Sequence, residues 1–199
     1  MRFCDFTYSF HMLGDDGLAK EGKKFESDIE TSAKEQGIYY MRIRDVNLPP
    51  DVRMRVKLPQ NKFDNLLFYK GHLFPLELKS TKAKSISFSE SIIKQHQLDS
   101  LKEAAGYEGV IAGLLFNFRE CDNKTFFVHI NDFLTYKNIA ENELDHTYES
   151  KVNKSSIPIG ICEEIGKPVT NLKKKINYRH YINKLLDELI DKYGEDIHK

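Results

Sequence analysis

Leu18, Phe25, Ile29 and Ala33 recur at helical spacing behind Asp15, Asp16 and Gly17, a turn with an N-cap carboxylate, and the pattern stops at Gly37. The spacing predicts an amphipathic first helix. Residues 38–44 are β-branched and aromatic and read as a strand. The pattern then breaks off over residues 46–60, where Pro49, Pro50 and Pro59 bracket Arg53, Met54, Arg55, Val56 and Lys57, which predicts a long connection or a projecting hairpin. Two apolar runs, 63–69 and 73–79, flank Lys70, Gly71 and His72, a hairpin turn with glycine inside it. Pro75 lacks an amide donor and argues against full pairing of the second run. Ile92, Ile93, Leu98, Leu101, Ala104 and Ala105 mark a second helix ending near Gly106. Residues 110–118 form a continuous apolar run suited to a central strand, with 124–130 as its neighbour across Cys121, Asp122 and Asn123. Asn131 or Asp132 caps a short helix containing Phe133, Leu134 and Tyr136. Residues 160–168 read as a loop, and Tyr181, Ile182, Leu185, Leu186, Leu189 and Ile190 outline a terminal helix. The order predicts an α/β fold, a mixed central sheet flanked by helices, in one domain over residues 1–199 with an insertion at about 46–60 and a helical C-terminal tail at about 168–199.

Composition agrees with one packed domain, since 40% of residues are hydrophobic and 12% aromatic. No run approaches a membrane span, so a cytoplasmic protein without a membrane partner is expected. Cys4, Cys121 and Cys162 lie far apart without a CxxC pair, which suggests reduced thiols rather than a disulfide framework or a zinc site. Thirty basic and thirty acidic residues cancel, yet the charges are clustered. Arg42, Arg44, Arg53, Arg55, Lys57 and Lys62 outnumber the acids around them, Lys79, Lys82, Lys84 and Lys94 follow, and Lys167, Lys173, Lys174, Lys175, Arg179 and Lys184 form a third group. Such stripes suit phosphate contacts, or are solvated faces.

The candidate chemistry lies in the hairpin. Glu77 and Lys79 share one face of their strand while Phe74, Leu76 and Leu78 take the other. Folding the hairpin sets Asp64 beside Glu77, where two carboxylates repel unless a divalent cation lies between them. A hard, oxygen-seeking ion such as Mg²⁺ there would activate water and polarise a phosphoryl oxygen, with Lys79 countering the developing charge. A solvated outer face with an incidental salt bridge is the competing reading. Glu26 borders the apolar stripe of the first helix, placed either to reach that site or to pair on the surface. Gln97 falls on the inward stripe of the second helix, where an active-site group or a backbone amide would satisfy it.

Taken together, Gly22, Lys23, Lys24, Phe25 and Glu26, then Asp64 ahead of Tyr69, Lys70 and Gly71, then Glu77, Leu78, Lys79, Thr81 and Lys82, and finally His96 and Gln97 resemble the RecU Holliday-junction resolvases of the PD-(D/E)XK nuclease superfamily. The likeness runs from about residue 22 to 118. Phe63 stands where the superfamily has proline, and Lys62 where RecU proteins usually carry threonine. The resemblance implies a restriction-endonuclease-like fold and a homodimer that binds four-way junction DNA and nicks two strands symmetrically with Mg²⁺, with Mn²⁺ as a substitute, alongside recombination proteins as further partners. It makes Asp64, Glu77 and Gln97 metal ligands, Lys79 the transition-state cation and Glu26 a helix glutamate that completes the site. Residues 46–60 fall where that family has a stalk, so Arg53, Arg55 and Lys57, with Lys82, become DNA contacts. A related nuclease for other branched or duplex DNA and a noncatalytic junction-binding protein are the alternatives.

Overall fold

The computed structural model of the protein describes residues 16–43, 49, 55 and 61–194, residues 16–21 by their backbone alone. Helix α1 (Asp16–Glu35) leads into β1 (Tyr39–Arg42), and the hairpin strands β2 (Asn65–Tyr69) and β3 (His72–Thr81) follow. The hairpin forms because Lys70 and Gly71 both take positive φ, 47° and 80°, the turn whose twist matches the flanking strands. Next come β4 (Ser85–Ser87), α2 (Gln95–Ala104), β5 (Gly113–Phe118), β6 (Lys124–His129) and α3 (Ile130–Asn142). The chain ends with β7 (Ser156–Pro158), α4 (Ile159–Ile165), β8 (Lys167–Pro168), β9 (Asn171–Lys173), β10 (Tyr178–His180) and α5 (Ile182–Tyr193).

The main sheet has the order β1-β2-β3-β5-β6-β8. Only β3 and β5 run parallel, joined by the crossover through α2, and the other pairs are antiparallel. This is the mixed sheet flanked by helices that the element order predicts. Two cores result. On one face Phe25, Ile29 and Ala33 of α1 and Leu185, Leu186 and Leu189 of α5 cover Leu67, Phe74, Leu76, Leu78 and Leu115. On the other, Leu98 and Leu101 of α2 and Phe133 and Tyr136 of α3 cover Leu114, Phe116, Phe118 and Val128.

Several expectations are corrected. Pro75 lies in a strand paired on both sides, and the ladder with β5 is interrupted there, between the Leu73–Val110 bridge and the Leu76–Gly113 pair, where proline offers no amide. Residues 160–168 form α4 and β8 rather than a loop, because Ile161 and Cys162 are wholly buried in the core and packing overrides the flanking glycines and prolines. Past residue 168 the chain is helical only in α5 among the described residues, and the hairpin β9–β10 precedes it. The cap of α3 is His129, whose Nδ1 accepts the Asn131 amide at 3.3 Å, rather than Asn131 or Asp132. Residues 46–60 lie outside the described residues except 49 and 55, so the projecting insertion does too. Cys121 and Cys162 are free thiols. Among the described residues no helix is long and apolar enough to cross a membrane.

The sheet is tight at Gly113, where a Cβ would sit 2.5 Å from the Val128 carbonyl oxygen and 2.6 Å from the Phe127 ring. Gly113→Ala is therefore expected to destabilise the protein by about 1–3 kcal/mol, since backbone on β6 must move. Urea unfolding checks this, and an unchanged midpoint would show that β6 yields freely.

Candidate active site

Asn65 pairs with Leu76 across the hairpin, so the next pair outward is Asp64 with Glu77. Strand alternation then fixes the faces. Glu77 neighbours Leu114 and Lys79 neighbours Phe116 in the parallel ladder, which puts both side chains on the α2 face. Glu77 is completely buried, because β3 is a central strand covered on both sides. The hairpin face with Glu77 is thus an interior one and not a solvated surface.

A carboxylate there needs a reason. Lys79 Nζ lies 2.7 Å from Glu77 Oε1, yet neither Glu77 oxygen receives a well-aligned hydrogen bond among the described residues. Burial pushes the Glu77 carboxyl well above the usual carboxylate range, Lys79 pulls it back, and Asp64 pushes it further up. The site is thus short of positive charge. A divalent cation between Asp64 and Glu77 would supply that charge, and the two orphaned oxygens are the fit such an ion requires.

Glu26 arrives from α1 and ion-pairs with Arg42 of β1. Burial raises its pKa, Arg42 opposes this, and Asp64 and Lys79 both act on it, so α1 brings this carboxylate to the edge of the same group. Behind it Tyr40 donates its hydroxyl to Asn65 Oδ1, and Asn65 is fully buried. Arg42, Tyr40 and Asn65 were not singled out for this site from sequence, although the Ile38-to-Arg44 alternation carries Arg42 onto the α1 face.

Gln97 is buried on α2, but its Oε1 takes the Lys94 amide at 3.4 Å, the backbone engagement that was the ordinary alternative. Among the described residues no three Asp, Glu, His or Cys side chains form a group that could hold a metal, so Asp64 and Glu77 are a pair with Glu26 held to Arg42. Lys62 is turned to α2, 3.1 Å from Glu103. Lys82 is exposed just past the end of β3, and Arg55 is exposed in a turn. Arg53 and Lys57 lie outside the described residues.

The mixed sheet thus presents two carboxylates and a lysine from one hairpin. The family model for RecU, recombination protein U, matches residues 58–184, a span that contains the whole hairpin and α2, and the chain belongs to the RecU family. It is 58% identical over 176 residues to the SPbeta prophage-derived uncharacterized protein YotM of Bacillus subtilis (strain 168), covering 88% of this chain and 90% of that one. Among solved structures, the Archaeoglobus fulgidus Holliday junction resolvase Hjc superposes with a TM-score of 0.44 at 14% identity, over 72% of this chain and 93% of that one.

Proposed function

We propose that this protein is a Mg²⁺-dependent endonuclease that resolves four-way DNA junctions by paired, symmetric nicks, acting as a homodimer. The observation that carries the reading is the pair Asp64–Glu77 set across one hairpin, with Lys79 Nζ 2.7 Å from a buried glutamate whose oxygens receive no well-aligned hydrogen bond among the described residues. Membership in the RecU family supports junction DNA as the substrate. Asp64 and Glu77 would hold the ion, Mg²⁺ or Mn²⁺ as a substitute, and it would supply Lewis acidity and lower the pKa of water there. The chain's own residues do the rest. Asp64, half-buried, and Glu77, wholly buried, hold the charge, and the burial of Glu77 limits its screening by bulk water. Lys79 sits within reach of the reacting phosphate's oxygens and neutralises charge that develops there. Glu26 and Arg42, locked together, fix the edge of the site nearest α1. Gln97 completes the metal's surroundings only if it releases the Lys94 amide. Arg53, Arg55, Lys57 and Lys82 are the DNA contacts of this reading, and recombination proteins act with it in the cytoplasm.

The test is a labelled four-way junction beside a matched linear duplex, with Mg²⁺ or chelator. Paired nicks in the junction alone, abolished by chelator and in Asp64→Asn, are the expected outcome. Equal cutting of the duplex would remove the junction specificity, and tight binding without incision under every metal would make the protein a junction-binding scaffold. Removing residues 46–60 is expected to depress junction cleavage far more than residual duplex cleavage, and an equal fall in both would sink the stalk assignment.

A further inference from the structure

The hairpin β9–β10 is strapped along α1. His180 N–H donates to Ser32 Oγ at 3.0 Å, Tyr178 N–H donates to the Asp28 carboxylate at 3.2 Å, and the Ile176 carbonyl accepts Lys24 Nζ at 2.6 Å. Two strand residues rise about 6.6 Å and one helical turn about 5.4 Å, so every second residue of the hairpin meets the next turn of α1. Its tip therefore lies against the turn that also carries Glu26. Phe25 points into the core, and Lys24 and Glu26 project about 100° to either side of it. The hairpin tip and the Glu26 edge of the Asp64–Glu77 site thus flank the same stretch of α1, about one helix diameter, 10–12 Å, apart. Lys23, exposed, stands on the crest between them.

Charge and exposure single out the tip. No acidic residue falls between Glu164 and Asp187, a stretch that holds six basic ones. Two of these are already neutralised, since Lys174 Nζ lies 3.3 Å and Arg179 Nε 3.8 Å from the Glu35 carboxylate. Lys173 and Lys175 are exposed and have no ion pair among the described residues. Ile176 beside them is 77% exposed, more than any other large hydrophobic side chain among the described residues. The turn that presents it is closed by Lys174 N–H donating to Asn177 O at 2.8 Å. An isoleucine so placed adds nothing to the core, and two unpaired ammonium groups next to it call for a polyanion with an apolar recess. A DNA duplex offers that combination, phosphates along both rims of a minor groove into which apolar side chains wedge.

We propose that the β9–β10 hairpin is a DNA-binding arm, in which Lys173 and Lys175 bind backbone phosphates and Ile176 enters the minor groove between them. On the nuclease reading above, on which this part rests, the DNA is an arm of the junction. A duplex crossing the N-terminal half of α1 meets both the hairpin and the site, because the distance across α1 is about one groove width, roughly 12 Å.

The experiment measures binding of the full chain to a four-way junction and to a matched duplex across a salt series, in chelator so that no cleavage intervenes. Lys173→Gln and Lys175→Gln are each expected to flatten the slope of log K against log[salt] by about 0.9. Lys154→Gln makes the same charge change at a lysine held 3.0 Å from Glu143 and should leave the slope as it is. Ile176→Ser should weaken binding about fivefold at every salt concentration without changing the slope, the effect of one partly buried aliphatic side chain. The three hairpin side chains are exposed, so urea midpoints should match the wild type and the fold is not at issue. Wild-type slopes and affinities in all three hairpin variants, or no DNA binding by the wild type, would overturn the assignment. Flotation with phosphatidylserine vesicles tests the other surface that suits two lysines and an isoleucine. Vesicle capture that Ile176→Ser abolishes, with DNA binding unmoved, would likewise overturn it and make the hairpin a lipid contact. Should the three variants weaken DNA binding as expected while the wild type cuts nothing in Mg²⁺, the nuclease reading fails and the DNA-binding arm stands.

Discussion

Glu77→Gln is expected to abolish metal-dependent cleavage while making the metal-free protein more stable. The two effects have one cause. Glu77 is wholly buried, its oxygens lack well-aligned donors, and burial followed by the nearby Asp64 carboxylate disfavours its charged form despite Lys79. A carboxylate with a raised folded pKa costs stability at every pH above its unfolded value, and the cost vanishes as pH falls below that value. The amide removes this cost at neutral pH and keeps the shape, so a gain of about 2 kcal/mol is expected in chelator, reduced by whatever Lys79 loses with its partner. Cleavage should fall about a thousandfold or more, because a neutral amide cannot hold the ion that stabilises several kcal/mol of charge at the reacting phosphate. Denaturant unfolding and single-turnover cleavage on the same preparations read both quantities. Lost activity with lost stability would mean that Glu77 is a structural ion-pair partner of Lys79 and that the site lies elsewhere. Adding Mg²⁺ should stabilise the wild type and leave Glu77→Gln unmoved.

The hairpin was legible because its physics is local. A period-two pattern sets Glu77 and Lys79 in phase, a Lys-Gly turn fixes the register, and register alone brings Asp64 opposite Glu77. What sequence could not convey was depth. The same alternation fits an exposed hairpin, and only the parallel β5 and the cover of α2 turn the face of Glu77 into an interior. Contacts distant in sequence were equally silent. The Glu26–Arg42 pair and the Tyr40–Asn65 bond join α1, β1 and β2 through tertiary packing that no spacing rule encodes. Gln97 shows the limit from the other side. Its inward position was readable from helical period, but its choice of the Lys94 amide was not. Helix α4 is hidden by Pro158, Gly166 and Pro168 at its ends and Gly160 in its first turn, and its helicity comes from burying Ile161 and Cys162. The strands of the tail are hidden for a similar reason: β9 and β10 are three residues each, too short for an alternating pattern, and β10 is held by bonds to α1 such as His180 N–H to Ser32 Oγ at 3.0 Å.

That junction of α1 with β10 is where acid should open the molecule. His180 is completely buried, edge-on to Phe25 with ring centroids 5.7 Å apart, and neither ring nitrogen has a partner among the described residues. Burial lowers its pKa to about 4, since the imidazolium would have no water and no acceptor. A histidine depressed in the folded state contributes its full stability above its unfolded pKa and loses it as pH falls through the folded value. Between about pH 6.5 and about pH 4 the unfolded chain takes up a proton that the folded chain refuses, which amounts to about 3 kcal/mol. Asp28, Glu26 and Glu77 are all raised by burial and work in the opposite direction over the acid range, so the raw pH profile mixes signs. His180→Leu separates them. The stability of the wild type relative to this variant is expected to drop by about 3 kcal/mol between about pH 7.5 and about pH 4, read from urea midpoints at each pH. Hydrogen exchange should show the loss first in α1 and β10, because Ser32, Gln36 and Asp28 tie those two elements together around His180. A pH-independent difference between the two proteins would mean that the ring finds a proton acceptor when charged, and that the α1–β10 seam is not the acid-sensitive part of the fold.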